Sequence, residues 1–240
     1  MIEKKNFIYM KLYLDIKNKI DSGELKAGER LPTEQDYQKQ YQVSRDTLRK
    51  ALAKLEQDGY ITRKAATGTY VKFKKADYGL SRMESFSELM HKRGLTPSSE
   101  ILSIEMLEDV DNDVMARLSL SHGEKAYKIC RIRKANGEPM AYEITYIPQK
   151  VCPNLHTHLL ETTSLYDVYE HVYGLQLNHG EIQLEAELPS PYVQKVLKVK
   201  SNSPLLKMTC TVMLESGTPL YYVLSYYIGE KYVFSANLPR

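Results

Sequence analysis

Leu31–Val71, LPTEQDYQKQYQVSRDTLRKALAKLEQDGYITRKAATGTYV, decides the fold of the first part of this 240-residue chain. Pro32-Thr33 opens a helix, with Thr33 as N-cap and Asp36 three residues on, a pairing that resembles a capping box. Ser44 is a good N-cap for the next helix, in which Leu48, Ala51, Leu52 and Leu55 share one face. Gly59 ends that helix. Tyr60–Lys64 and Gly68–Phe73 are short β-rich runs around the small-residue tip Ala65-Ala66-Thr67, a hairpin pattern. Upstream, Ile8, Leu12, Ile16 and Ile20 recur every four residues between Phe7 and Ser22, and Gly23 sits where a C-cap would fall. Three helices and a hairpin predict a winged helix-turn-helix.

The charge distribution agrees with a division into two parts. The net charge is +3, yet residues 1–76 hold 17 Lys/Arg against 10 Asp/Glu, and the remainder holds 16 against 20. A basic module that meets a polyanion, joined to one that does not, fits that asymmetry. A hydrophobic content of 42% is ordinary for a globular chain, and 240 residues suffice for two domains. No run of about 18 apolar residues offers a membrane span. The basic start is interrupted by lysines and Asp15 at helical spacing, unlike a secretory signal, and Cys130, Cys152 and Cys210 fall in no metal or redox spacing. A cytoplasmic protein with reduced thiols, no membrane association and no resident cofactor or metal is expected.

On the third helix, Arg45 and Arg49 lie one turn apart beside the apolar stripe. With Ser44 and Thr47 they project from the half of the helix that enters a major groove. An arginine fork donates two hydrogen bonds to guanine O6 and N7, or grips a phosphate. Lys50, Lys54 and Lys64 would add sequence-independent phosphate contacts. Two arginines alone fit a solvated helix face better than a DNA contact; the helix-turn-helix spacing and the wing reverse that and favour DNA.

The ordered pattern L-P-T-E…Y-x-V-S-R-x-T-L-R-x-A-L…L…G-Y-I…G-T-Y-V, over about residues 7–74, resembles the DNA-binding domain of the GntR family of bacterial transcription regulators. The resemblance implies operator contacts by Arg45, Thr47 and Arg49, with Thr33, Gln35 and Ser44 beside them. It also implies minor-groove contact by the wing around Lys64, Thr67 and Gly68. Two departures stand out. Gln35 replaces a usual base-reading arginine, and glutamine pairs more readily with adenine. Ala66-Thr67-Gly68 replaces the wing's usual G-x-G.

The rest of the chain reads as α+β: a linker at 74–79, then a second domain at 80–240. A helix is expected at about 80–93, a strand at 100–107, a short helix near 111–119 and two strands flanking Asn136-Gly137. A helix at 164–173 precedes a long strand at 175–188 and a helix opened by Ser190-Pro191. A final hairpin joins 204–214 to 219–228. Neighbouring strands joined by hairpins imply an antiparallel sheet with helices packed on it. Within Tyr127–Arg133, alternation puts Arg131 and Arg133 on one face. Two guanidinium groups so placed are either solvated and ion-paired or neutralised by an anion, which a phosphate or carboxylate would do with bidentate hydrogen bonds. Glu143 is the obvious internal partner. A three-residue loop (136–138) puts it opposite Arg131; a two-residue turn puts it on the other side.

The landmarks Ser85-Phe86-Ser87, C-R-I-R-K-A-N-G-E-P-M-A-Y-E at 130–143, Ile147-Pro148, Ser164-Leu165-Tyr166 and Y-I-G-E-K-Y-V-F at 227–234 resemble the UTRA domain of the HutC branch of GntR regulators, of chorismate-lyase-like fold. The resemblance implies an effector pocket lined by Ser85, Phe86, Ser87, Arg131, Arg133, Glu143, Ser164, Tyr166 and Tyr227, with Tyr222 where relatives carry a glutamate. It implies a phosphorylated-sugar effector and a homodimer on double-stranded operator DNA. The expected function is a transcriptional regulator, usually a repressor, with no catalytic residues. The alternative is a sugar-phosphate-processing enzyme with an attached basic domain. No Gly-rich phosphate loop or nucleophile elbow is present, and His156, His158 and Cys152 lack a further ligand at metal spacing.

Overall fold

The computed structural model describes residues 2–26, 28–64, 67–72, 75–80 and 82–238; the side chains of 2–7, Lys64 and Ala76 lie outside that description. The expectations resting on Ala66 and on the Lys64 side chain therefore lie outside the described residues. The chain forms two compact units, Met1–Lys75 and Ala76–Arg240.

In the first unit, α1 (Ile2–Asp21), α2 (Glu34–Tyr41) and α3 (Arg45–Gln57) precede a hairpin of β1 (Ile61–Lys64) and β2 (Gly68–Val71), in register from Ile61↔Val71 to Lys64↔Gly68. The capping box is present. Asp36 N–H donates to Thr33 Oγ1 (3.3 Å) and Thr33 N–H donates to Asp36 Oδ2 (3.2 Å). Ser44 caps α3 by accepting from Thr47 N–H (3.3 Å). At the far end, Tyr60 N–H donates to Leu55 O and Gly59 N–H to Glu56 O, a Schellman closure that needs the left-handed φ of +79° at Gly59.

Leu48, Ala51, Leu52 and Leu55 are buried as the spacing requires, packed on Leu12, Tyr13, Ile16, Tyr37, Ile61 and Val71. One member of the α1 stripe departs from expectation: Ile8 is exposed, while Tyr9 packs on the core. A four-residue repeat advances about 40° beyond a full turn at each step, so the stripe rotates off the core two steps from Ile16. Replacing Leu55, which has no solvent exposure, by alanine should destabilise this unit by about 2–5 kcal/mol in urea unfolding.

The second unit is built on a six-stranded antiparallel sheet in the order β4-β5-β6-β9-β8-β7. Its strands are β4 (Pro97–Leu107), β5 (Ala126–Ala135), β6 (Glu138–Pro148), β7 (Leu177–Glu187), β8 (Leu205–Leu214) and β9 (Pro219–Ile228). The antiparallel sheet and its packed helices match the sequence reading. On one face, α5 (Asn112–Leu118) buries Val114 and Leu118 against Tyr222 and Ala126, while α7 (Pro191–Leu197) buries Val193 and Leu197 against Ile132 and Tyr142.

Three local expectations are corrected. Residues 76–79 are not linker but β3 (Ala76–Gly79), paired in parallel with β10 (Tyr232–Ser235). The expected helix at 80–93 shrinks to α4 (Phe86–His91), started by a Ser85/Glu88 capping box. Leu80 N–H donates to Ser235 O, so the pairing with β10 reaches Leu80, where the helix was expected to start. A pairing partner at the other end of the chain leaves no local trace. The helix expected at 164–173 is a short α6 (Leu165–Asp167) that widens into a π turn over Val168–Val172.

Candidate functional site

On the first unit, Arg45 and Arg49 extend from α3 into solvent, their side chains 67% and 55% exposed. Glu34, on the first turn of α2, reaches both: its Oε2 lies 3.6 Å from Arg45 Nε and 3.7 Å from Arg49 Nε. One carboxylate thus holds the two guanidinium groups side by side. Exposed pairs of this kind are worth about 0–1 kcal/mol, so the arginines can exchange this partner for nucleic acid. Thr33, Gln35, Ser44 and Thr67 are exposed, and Gly68 starts β2. Thr47 departs from expectation: it is 6% exposed, with its hydroxyl 2.9 Å from Ser44 Oγ. It braces the helix start instead of projecting with the arginines. Lys54 is drawn to Asp58 (2.8 Å), which also accepts from the Tyr13 hydroxyl (2.8 Å).

The second unit holds a cavity of about 300 Å³ on the sheet face opposite α5 and α7. Its floor follows from register. Asn136 and Gly137 form a two-residue turn, both with positive φ (49° and 81°), and Ala135 faces Glu138. The register then shifts, so that Lys134 faces Pro139 while Arg133 faces Ala141, and Arg131 faces Glu143. The tight turn and the bulge at Met140 together give the pairing that a three-residue loop would have given. One cross-strand row therefore runs Arg131, Glu143, Ser225, Met208, all on the cavity side.

Arg131 and Arg133 are 3% and 5% exposed. Arg131 Nη2 donates to Glu143 Oε1 in a short hydrogen bond, Thr145 Oγ1 donates to the same oxygen (3.3 Å), and Arg133 Nη1 stands 3.9 Å away. The Arg133 guanidinium also lies 4.6 Å from the Phe86 ring, a cation–π contact. Burial and the like charge of Arg131 pull the Arg133 pKa down to about 10 against the pull of Glu143. Burial pushes the Glu143 carboxyl up, but the two guanidinium charges outweigh it and hold the group below its usual range. Two cations share one carboxylate, and the Nε of each arginine is buried without a hydrogen-bond partner. A buried excess of positive charge with orphaned donors calls for an anion.

Ser85, Phe86, Ser164, Tyr166 and Tyr227 all border this cavity, with Arg131, Arg133 and Glu143. Two expected residues do not. Ser87, one residue into α4, is absent from the lining. Tyr222 points to the other face, where it packs among Val110, Val114 and Leu118 beneath the Arg117 guanidinium. The parity is decisive: Tyr222 and Tyr227 are five residues apart on an unbulged stretch, so they face opposite ways. Tyr221, Val223 and Ser225 hold the cavity-side positions, and alternation counted back from Tyr227 would have found them. Tyr78, Met83, Tyr169 and Cys210 also line the cavity, from segments brought in by long-range pairing.

Among the described residues no group of three His, Cys, Asp or Glu side chains could hold a metal. His156 and His158 instead lie beside Tyr127 and Tyr173. Among the described residues no helix is long and apolar enough to cross a membrane.

A winged helix-turn-helix with two exposed arginines on its third helix, in one chain with a second unit whose cavity is floored by two buried arginines, is the arrangement of a DNA-binding transcription regulator. Comparison with known proteins agrees. Residues 8–71 match the bacterial regulatory proteins of the GntR family, and residues 92–233 match the UTRA domain. The chain belongs to the GntR family, in the HutC-type arrangement that carries a UTRA domain. It is 30% identical to the HTH-type transcriptional repressor NagR of Bacillus subtilis, over 97% of this chain and 95% of that protein. It is 27% identical to MngR of Escherichia coli, named as the mannosyl-D-glycerate transport/metabolism system repressor, over 97% of this chain and 96% of that protein. The fold also matches the crystal structure of PhnF from Mycobacterium smegmatis, with a TM-score of 0.73 and 21% identity over 95% of this chain and 98% of that one. The matched families and the relatives named here are regulators and not enzymes.

Two outcomes test the DNA face. Arg45→Ala or Arg49→Ala should each weaken binding to a selected operator by about 1–3 kcal/mol in fluorescence anisotropy titrations. Glu34→Gln should raise affinity for scrambled duplex several-fold and lower the operator-to-scrambled ratio, since it removes a negative charge that also aligns the two arginines. An unchanged ratio would show that Glu34 is a bystander.

Proposed function

We propose that this regulator is a cytoplasmic repressor whose operator binding is controlled by a sugar phosphate held at Arg131 and Arg133. The observation that carries this reading is the pair of buried guanidinium groups sharing the Glu143 carboxylate at the cavity floor. A phosphate accepts several charge-assisted hydrogen bonds and supplies the negative charge the site lacks. The names of NagR and MngR as repressors, and the tie of MngR to mannosyl-D-glycerate, favour repression and a sugar-derived effector.

In this reading two chains pair through their second units and present two α3 helices to half-sites of a near-palindromic operator. Arg45, Arg49, Gln35 and Thr33 meet the duplex, and the wing residues Lys64, Thr67 and Gly68 approach the minor groove. The edge strands β4 and β7 support self-association, since neither has a neighbouring strand on its outer side among the described residues. Coupling between effector and DNA begins at the unit boundary. Tyr78, Leu80, Arg82, Met83, Glu84 and Phe86 all line the cavity, within a few residues of Lys75. An effector that binds one arrangement of that segment better than another shifts its population by the difference in affinity.

The test is operator binding by anisotropy with and without a panel of sugar phosphates, on wild type and Arg133→Ala. Wild type should release operator in at least one sugar phosphate. Arg133→Ala should bind operator normally and lose at least about tenfold in effector sensitivity. An unchanged effector response in the variant would make the arginine pair structural. Light scattering that finds only monomer with operator bound would remove the dimer from the mechanism.

A further inference from the structure

The charges around the cavity restrict the effector beyond its anionic group. Two carboxylates line it, Glu84 and Glu143, and each already faces two cations. Glu143 accepts from Arg131 and lies 3.9 Å from Arg133. Glu84 is 2.5 Å from Lys92 Nζ and 3.5 Å from Arg82 Nε. Neither is available to an incoming cation, and an ammonium approaching Glu143 would also approach two guanidinium groups in a region of low dielectric.

Neutral hydrogen-bonding groups, by contrast, are waiting. The Ser225 and Tyr169 hydroxyls border the cavity and are buried; Tyr169 has no hydrogen-bond partner, and Ser225 has only a loose approach to the Tyr227 phenol. The Tyr166 and Tyr221 hydroxyls face each other at 2.9 Å, a pairing that uses one of their two hydrogens and leaves the other to donate. Burial holds the Tyr166, Tyr169 and Tyr221 phenols protonated, so these are donors without charge. Buried hydroxyls left unpaired by the protein are groups that a ligand's own hydroxyls can satisfy.

We infer that the part of the effector other than its anion is uncharged and hydroxyl-bearing, and that a positive charge there is rejected: the cavity discriminates against amino-sugar phosphates in favour of their neutral counterparts. The inference rests on the anion reading of Arg131 and Arg133, and the two fail in different ways.

Isothermal titration of the full chain with inorganic phosphate, glucose 6-phosphate, glucosamine 6-phosphate and the matching 1-phosphates separates them. In each pair where either member binds, the neutral sugar should bind at least about tenfold tighter, the discrimination expected when a polar site is left wrongly matched. Raising the pH above the ammonium's own pKa should restore much of the amino sugar's affinity, which a purely steric cause would not do. Ser225→Ala and Tyr169→Phe should each weaken the neutral sugar phosphate several-fold and inorganic phosphate less. An amino-sugar phosphate that binds as tightly as its neutral counterpart, or tighter, overturns this inference and leaves the anion site standing. Absence of binding by every phosphate, inorganic phosphate included, overturns the anion reading and the inference with it.

Discussion

At the centre of the second unit one carboxylate lies between two guanidinium groups, and the surrounding strand geometry has to serve that arrangement. Arg131 and Glu143 meet because a tight Asn136-Gly137 turn is followed by one extra residue at Met140. A slip of one residue would send the carboxylate to the helix-covered face and leave two cations buried without compensation, a cost of several kcal/mol per ion. Turn, bulge and charge are therefore one constraint. Even satisfied, it leaves a net positive charge and two orphaned Nε donors under the cavity. The rest of the sheet must offset that cost.

The two faces of the sheet divide the work between support and recognition. On the helix-covered side, Tyr142 stacks on Tyr226 and Tyr146 on Tyr222, with α5 and α7 closing over the apolar residues beside them. On the cavity side, Tyr166, Tyr169 and Tyr221 cluster with their hydroxyls among polar groups. Tyrosine serves both faces because its ring packs as a hydrophobe while its hydroxyl still needs a partner. Alternation along β9 assigns the roles residue by residue.

The two arginine pairs of the chain show how environment sets function. Arg45 and Arg49 share Glu34 in solvent, where screening keeps the attraction small and a duplex can replace it. Arg131 and Arg133 share Glu143 out of solvent, where screening is weak and losing the carboxylate would leave two buried charges uncompensated. The same guanidinium chemistry is an exposed, replaceable contact in one unit and a fixed part of the cavity floor in the other.

Local chemistry determined most of the first unit from sequence alone. The Thr33 and Ser44 caps, the Leu48–Leu55 stripe and the Gly59 stop act within a few residues of themselves, so their spacing is readable. In the second unit, alternation alone put Arg131 and Arg133 on one face. Tertiary structure decided the rest. It paired 76–79 with 232–235, set Arg131 opposite Glu143 through the extra residue at Met140, and brought Tyr169 and Cys210 to the cavity. Each of these depends on a partner distant in the chain or on a one-residue shift in register, and neither leaves a periodic signal in the amino acids that undergo it.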